Sequence, residues 1–304
     1  MFSRILVPLN DTPEAAVALA PAHTLAKATG ASITLLTVID TAASEADHTR
    51  ATAHLERVAA ELSTDGVHVN TVVHRGEPAA EIVAATIEGH AELVVMATHG
   101  RSGLARALLG SVSQRVLATS PGLLLLVRPG GHTMTKLEVV LVPVDGSPGG
   151  ALALASAVPL AKAVNARVVL LDVTVPFAAY LSLAASGSGM IYFDPDWDQE
   201  AVDGAKRYVS GMADRLRQAG VRAEGIDTTG SVLTPSTSVA EAIMRAAEDV
   251  GADLIVMSTH ALTGPARTLL GSVADEVVRN SHRPVLLPRR PRSDETLGDR
   301  QPPP

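Results

Sequence analysis

Nine residues, Arg101 to Leu109, separate Gly100 from the pair Gly110-Ser111, and this spacing is the part of the chain best suited to chemistry. Before it runs Leu93-Val94-Val95-Met96, unbroken and apolar; after it, Val112-Ser113-Gln114-Arg115-Val116-Leu117 has the apolar spacing of a helix. A strand, a glycine-bearing loop and a helix start in that order make an anion site. Backbone N–H groups converge where the helix dipole is positive, and glycine lets an oxyanion approach the backbone. Phosphate is the ligand this chemistry favours. The plainer reading is that Gly and Ser cap the helix with no ligand at all.

Other constellations carry less. The ten histidines show no pair at helical i, i+4 spacing, so no metal site is expected. His99 and His260 follow apolar runs and read as structural. Asp194-x-Asp196-x-Asp198 resembles part of a calcium loop, but Gln199 replaces the turn glycine, and an acidic loop with a helix cap fits better. Neither a Gly-x-Ser-x-Gly elbow nor a Walker lysine is present, which argues against a nucleophilic enzyme.

The elements that would position such a site occur twice. Leu254-Ile255-Val256-Met257 and Gly271-Ser272-Val273 repeat Leu93 to Met96 and Gly110 to Val112 at one constant offset. Earlier landmarks repeat at a shorter constant offset (Asn10 to Asp145, Val38 to Val173), and the third-strand glycines, Gly76 and Gly230, at an intermediate one. The chain is therefore a duplicated domain with two insertions in the second copy. The larger falls at about 176–200 and includes Tyr192, Phe193 and Trp197, an aromatic flap or interface plug; the smaller is Ser231 to Thr237.

In the first copy, strands are expected at Ile5 to Leu9, Ser32 to Ile39, Val67 to Val73, Leu93 to Met96 and Gly122 to Val127. Helices are expected from the Asn10-Glu14 turn to Thr29, then over 51–62, 79–88 and 112–118. This alternation makes a parallel sheet covered by helices on both faces. Domain 1 spans 1–129, the stretch 130–138 that follows Pro129 with Gly130-Gly131 is the linker, domain 2 spans 139–288, and 289–304 is a charged, Pro-rich tail that reads as disordered.

Composition agrees. Of 304 residues, 46% are hydrophobic and 2% aromatic, so the core is Val, Leu, Ile and Ala. A net charge of −7 disfavours nucleic acid and anionic membranes as partners. The absence of cysteine suits a reducing interior, and no segment has the roughly 20 apolar residues of a bilayer span. A cytoplasmic protein that takes a small ligand or a protein partner is the expectation.

With these motifs the sequence resembles the universal stress protein family, in a tandem two-domain form, from Phe2 to Pro288. The resemblance implies two five-stranded parallel α/β sheets of the Rossmann-like, adenine nucleotide alpha hydrolase-like type. ATP is the implied cofactor, alone or with Mg, and nucleotide occupancy rather than turnover is the implied signal. Family members that bind ATP carry Gly-x-x-Gly, nine residues, then Gly-Ser or Gly-Thr, with an Asp after the first strand and a Val after the second. In domain 1 these positions are Asn10, Val38, Ala97, Gly100, Gly110 and Ser111, with Val112 next. In domain 2 they are Asp145, Val173, Ser258, Ala261, Gly271 and Ser272, with Val273 next. Domain 1 retains more of the loop, whereas domain 2 retains the Asp but has Pro265 in a loop whose backbone should wrap phosphate.

Domain 1 is thus expected to be the better nucleotide site. The other reading is a structural or regulatory interaction protein with degenerate sites, and a slow ATPase comes third. A homodimer or another protein is the implied macromolecular partner. Two further expectations follow. The fifth strands, Leu123 to Val127 and Val285 to Leu287, should face one another, since bare edges invite aggregation. A valine at Gly110 should block phosphate through both its side chain and its restricted backbone.

Overall fold

Runs such as Leu93-Val94-Val95 and Leu124-Leu125-Leu126 are almost wholly shielded from water, which an apolar strand achieves when helices cover both faces of its sheet. The computed structural model of the protein describes residues 2–98, 109–173, 195–227, 238–259 and 270–288. Its first half comprises β1 (Arg4–Pro8), α1 (Pro13–Ala16), α2 (Leu19–Thr29), β2 (Ser32–Ile39), α3 (Glu45–Ser63), β3 (Val69–Arg75), α4 (Pro78–Glu88), β4 (Leu93–Ala97), α5 (Ser111–Thr119) and β5 (Leu123–Val127). The second half comprises β6 (Val139–Pro143), α6 (Pro148–Val164), β7 (Arg167–Asp172), α7 (Pro195–Gln218), β8 (Ala223–Asp227), α8 (Val239–Asp249), β9 (Leu254–Val256), α9 (Ser272–Asn280) and β10 (Val285–Leu287).

The ten strands of the described residues lie in one sheet, in the order β3-β2-β1-β4-β5-β10-β9-β6-β7-β8. Pairing is parallel within each half and antiparallel at the centre, where Leu125 faces Leu286. The fifth strands do meet, and the two half-sheets become one. One apolar layer, under α2, α3, α6 and α7, is built on residues such as Leu25, Leu55, Leu160 and Val209. The other lies under α4, α5, α8 and α9 and includes Ile82, Leu117, Ile243 and Val277.

Three local features differ from the sequence reading. The first helix breaks after Ala16 and resumes at Leu19. Pro21 supplies the reason, since its ring crowds the carbonyl four residues back and it has no N–H for that bond. The third helix starts at Glu45 rather than 51, because Ser44 and Asp47 form a reciprocal capping box. Pro195, within the span read as insertion, already begins α7. Residues 174–194, 228–237, and the tail beyond Pro288 lie outside the described residues. Among the described residues, no helix is long and apolar enough to cross a membrane.

The stretch joining the halves is part of the core. Met134 is 0% exposed, and its carbonyl accepts a hydrogen bond from Thr24 Oγ1 at 3.0 Å. At the amino end of β4, the Glu92 carboxylate accepts from the backbone N–H of Ser3 at 2.6 Å and of Arg4 at 3.2 Å. The hydrogen bond from the Ser3 amide is the main cause holding Glu92 below the ordinary carboxylate range.

Two outcomes are expected. Leu125→Ala removes buried contacts at the central seam and should cost about 2–5 kcal/mol, read as a lower urea midpoint. A carboxylate whose folded pKa is depressed contributes stability above its unfolded value, about 4.3, and loses it as pH falls through the folded value. Glu92→Gln should therefore be less stable than the parent near neutrality, with the difference vanishing in acid; thermal unfolding across pH measures this.

Candidate functional site

In each half the sheet order reverses between the first and fourth strands: β1 pairs with both β2 and β4, and β6 with both β7 and β9. Connections from neighbouring strands diverge there, opening a crevice at the carboxyl ends. A cleft of about 350 Å3 occupies the crevice of the first half, and one of about 370 Å3 that of the second. Both are at the small end of the range for small-molecule sites.

The first cleft gathers Asn10, Val38, Ala97, Gly110, Ser111 and Val112 from four separate segments of chain. Asn10 follows β1, where its Oδ1 accepts from Thr12 Oγ1 at 2.6 Å, and Thr12 caps α1. Val38 is half-buried near the end of β2, and Ala97 is buried as the last residue of β4. Gly110 is the N-cap of α5, and among the described residues no side chain caps that helix end. The backbone N–H groups of its first turn have no partner within the helix and lie at the positive pole of its dipole. Beneath them, the buried Ser113 hydroxyl donates to Ala97 O at 2.9 Å and pins the helix start to the strand end.

The backbone of Gly110 corrects one expectation. Its φ of −60° and ψ of 149° are open to any residue, so the backbone does not demand glycine there. Only a side chain's bulk can obstruct this corner. Gly271 is the same, at φ −63° and ψ 155°.

The second cleft brings together Asp145, Val173, Ser258, Gly271, Ser272 and Val273. Among the described residues, the N-terminus of α9 again has no side-chain cap. The halves differ most in charge. Asp145 and Asp172 line the second cleft, whereas the positions that match them through the repeat are Asn10 and Thr37. Next to Asp145, Gly146 turns the chain at φ +74°, a conformation that suits glycine. Tyr208 of α7 reaches the same corner, with Asp145, Gly146 and Asp172 lining a side opening beside it. Burial first, then the charges of Asp145 and Asp172, push its phenol above the ordinary value.

Every nucleotide-site residue expected from the sequence that falls in the described part of the chain thus comes to one of the two clefts. Gly100, His99, His260, Ala261, Pro265 and Gly230 lie outside the described residues. Sequence reasoning missed Ser113, Asp172 and Tyr208. Ser113 is visible as the second serine of Gly-Ser-Val-Ser and Asp172 as the neighbour of Val173, but Tyr208 enters from a helix with no landmark in the repeat.

The model of the universal stress protein family matches residues 1–128 and again 136–289. The chain belongs to the universal stress protein family. A universal stress protein of Methanocaldococcus jannaschii is 30% identical over 171 residues, which is 56% of this chain and 90% of that one. Another, from Mycolicibacterium smegmatis, is 25% identical over 74% of this chain and 70% of its own length. The crystal structure of a universal stress protein from Archaeoglobus fulgidus superposes with a TM-score of 0.67 at 23% identity, covering 95% of this chain and 98% of that one. That likeness concerns the fold. The universal stress protein described here thus has its two family segments joined in one sheet.

Asp145→Asn removes one of the two charges facing Tyr208. Its phenol should then titrate closer to the ordinary value near 10, seen as a lower midpoint in the ultraviolet difference titration against Tyr208→Phe.

Proposed function

We propose that the protein binds ATP as a stress-response module without efficient turnover, with the first cleft as the better site. The observation that carries this reading is the uncapped start of α5 at Gly110-Ser111, set at the carboxyl end of β4 in a cleft that also gathers Asn10 and Val38. The first-turn N–H groups and the Ser111 hydroxyl suit phosphate oxygens, and Asn10, with a donor and an acceptor on one carboxamide, suits adenine or ribose. The apolar floor of Leu36, Val38, Ile82 and Met96 suits the base. Gly100 stays in the proposed loop on the strength of its motif position.

Charge supports the ranking of the clefts. None of the described residues lining the first is ionisable, whereas the second includes Asp145 and Asp172. Two carboxylates oppose the polyphosphate's negative charge. The neutral lining of the first also supports binding over turnover, since no general base stands among those residues. A Mg ion would arrive with the nucleotide, held by its phosphates.

ATP at 100 times its dissociation constant should stabilise the protein by about 2.7 kcal/mol, visible as a raised melting temperature. In calorimetric titrations, Gly110→Val should abolish the main binding event through the bulk of its side chain. Gly271→Val should leave that event in place, and Ser111→Ala should weaken it mildly. Equal losses from the two glycine changes would reverse the ranking of the clefts. No binding by the parent protein would favour an interaction protein with degenerate sites, in keeping with Ala97, Ala261 and Pro265 in the two loops.

A further inference from the structure

A groove of about 630 Å3 lies at the amino ends of β4 and β5, away from the first cleft, between the α4–β4 connection and α6. Ile87, His90, Glu92, Leu123 and Pro159 are among its walls. Ile87 is 57% exposed and is the one large apolar side chain left so open among the described residues.

The internal repeat gives this groove a counterpart. At the two offsets already noted, Glu92 corresponds to Asp253, Leu123 to Pro284 and Pro159 to Thr24. The match extends to bonding. Glu92 accepts from the N–H groups of Ser3 and Arg4, and Asp253 accepts from those of Glu138 and Val139, the matching pair in the repeat, at 2.8 and 3.0 Å.

The counterpart is filled, and by the chain that leaves β5. His132 N–H donates to His282 O at 2.6 Å, the His132 ring faces Asp253 at 3.5 Å, and Met134 is buried against α2 with its carbonyl bonded to Thr24. Asp253 and Pro284 are buried there, while Glu92 is exposed and Leu123 is half-buried on the open side. The open groove is also where the chain leaves β10. Leu287 pairs with Leu124, so Pro288 comes out beside Leu123.

We propose that the open groove is the docking site of the chain's own C-terminal segment, 289–304. This segment stands after β10 as the joining stretch stands after β5. Leu297 is its only large apolar residue and covers Ile87, as Met134 supplies the buried apolar side chain of the filled groove. Arg289, Arg290 and Arg292 present positive charge to Glu92, at the position where the His132 ring faces Asp253 in the filled groove. Reach is sufficient: Leu297 lies nine residues beyond Pro288, a span of up to about 30 Å, and Met134 needs seven beyond Val127. Docking makes the two ends of the sheet equivalent and withdraws an apolar patch from water.

The chain has no cysteine, so introduced pairs report without background. In the full-length protein, Ile87→Cys with Leu297→Cys should form an intramolecular disulfide under mild oxidation. Glu248→Cys, at the position equivalent to Ile87, with Leu297→Cys should not. No bridge, equal bridging by both pairs, or a bridge only between two chains would overturn the proposal, the last pointing to a second copy as occupant. As an independent measure, Leu297→Asp should raise hydrogen exchange several-fold at residues 87–92 without altering it around Met134. Unchanged exchange at 87–92 would also overturn it.

Discussion

The antiparallel pairing of β5 with β10 is the constraint on which the rest of the molecule depends. A half-sheet ending in Leu124-Leu125-Leu126 exposes unpaired backbone groups along a strand with no charge to deter another chain. Joining the two edges satisfies both sets of hydrogen bonds and seals their leucines between helical layers. The stretch from Arg128 to Glu138 reinforces the closure. It bonds to His282 and Asp253 in the second half, and through Met134 it packs against α2 of the first. Each half therefore completes its core with material from the other.

The same sheet order builds the clefts. Reversal between β1 and β4, and between β6 and β9, opens a crevice into which the uncapped helix starts project their dipoles. These helices are placed by packing. Val116 and Leu117 of α5 are buried in the sheet's apolar layer, and Ser113 ties the first turn to Ala97. An anion-binding corner results from a core that has to pack in any case, and the sequence differences between the halves then set its charge.

Much of this is legible from the chain alone. The β-branched and leucine runs mark strands to within a residue or two, since a strand buried on both faces leaves an unmistakable apolar block. The internal repeat locates both clefts, and the apolar fifth strands point to their pairing. What escapes a reading of the sequence depends on contacts distant along the chain or on local bonding. Pro-Gly-Gly marks 130–138 as a linker, but Met134 and Leu137 in that stretch are core residues. Asp47 is an inconspicuous capping partner, because Glu or Gln is the usual residue there. Pro21 breaks a helix that the surrounding alanines would otherwise continue. The backbone angles of Gly110 are inaccessible to composition, because a glycine can stand where any residue would fit.

The antiparallel seam also fixes the direction of everything beyond it. Since the strands of one half run opposite to those of the other, the carboxyl-end clefts open toward opposite rims of the sheet. No single small ligand can span both. Joining the copies in one chain further changes what a mutation does. In a dimer of identical halves every substitution appears at both rims at once. Here Asp145 can face one rim while Asn10 faces the other, so each compartment is tuned alone without disturbing the common wall.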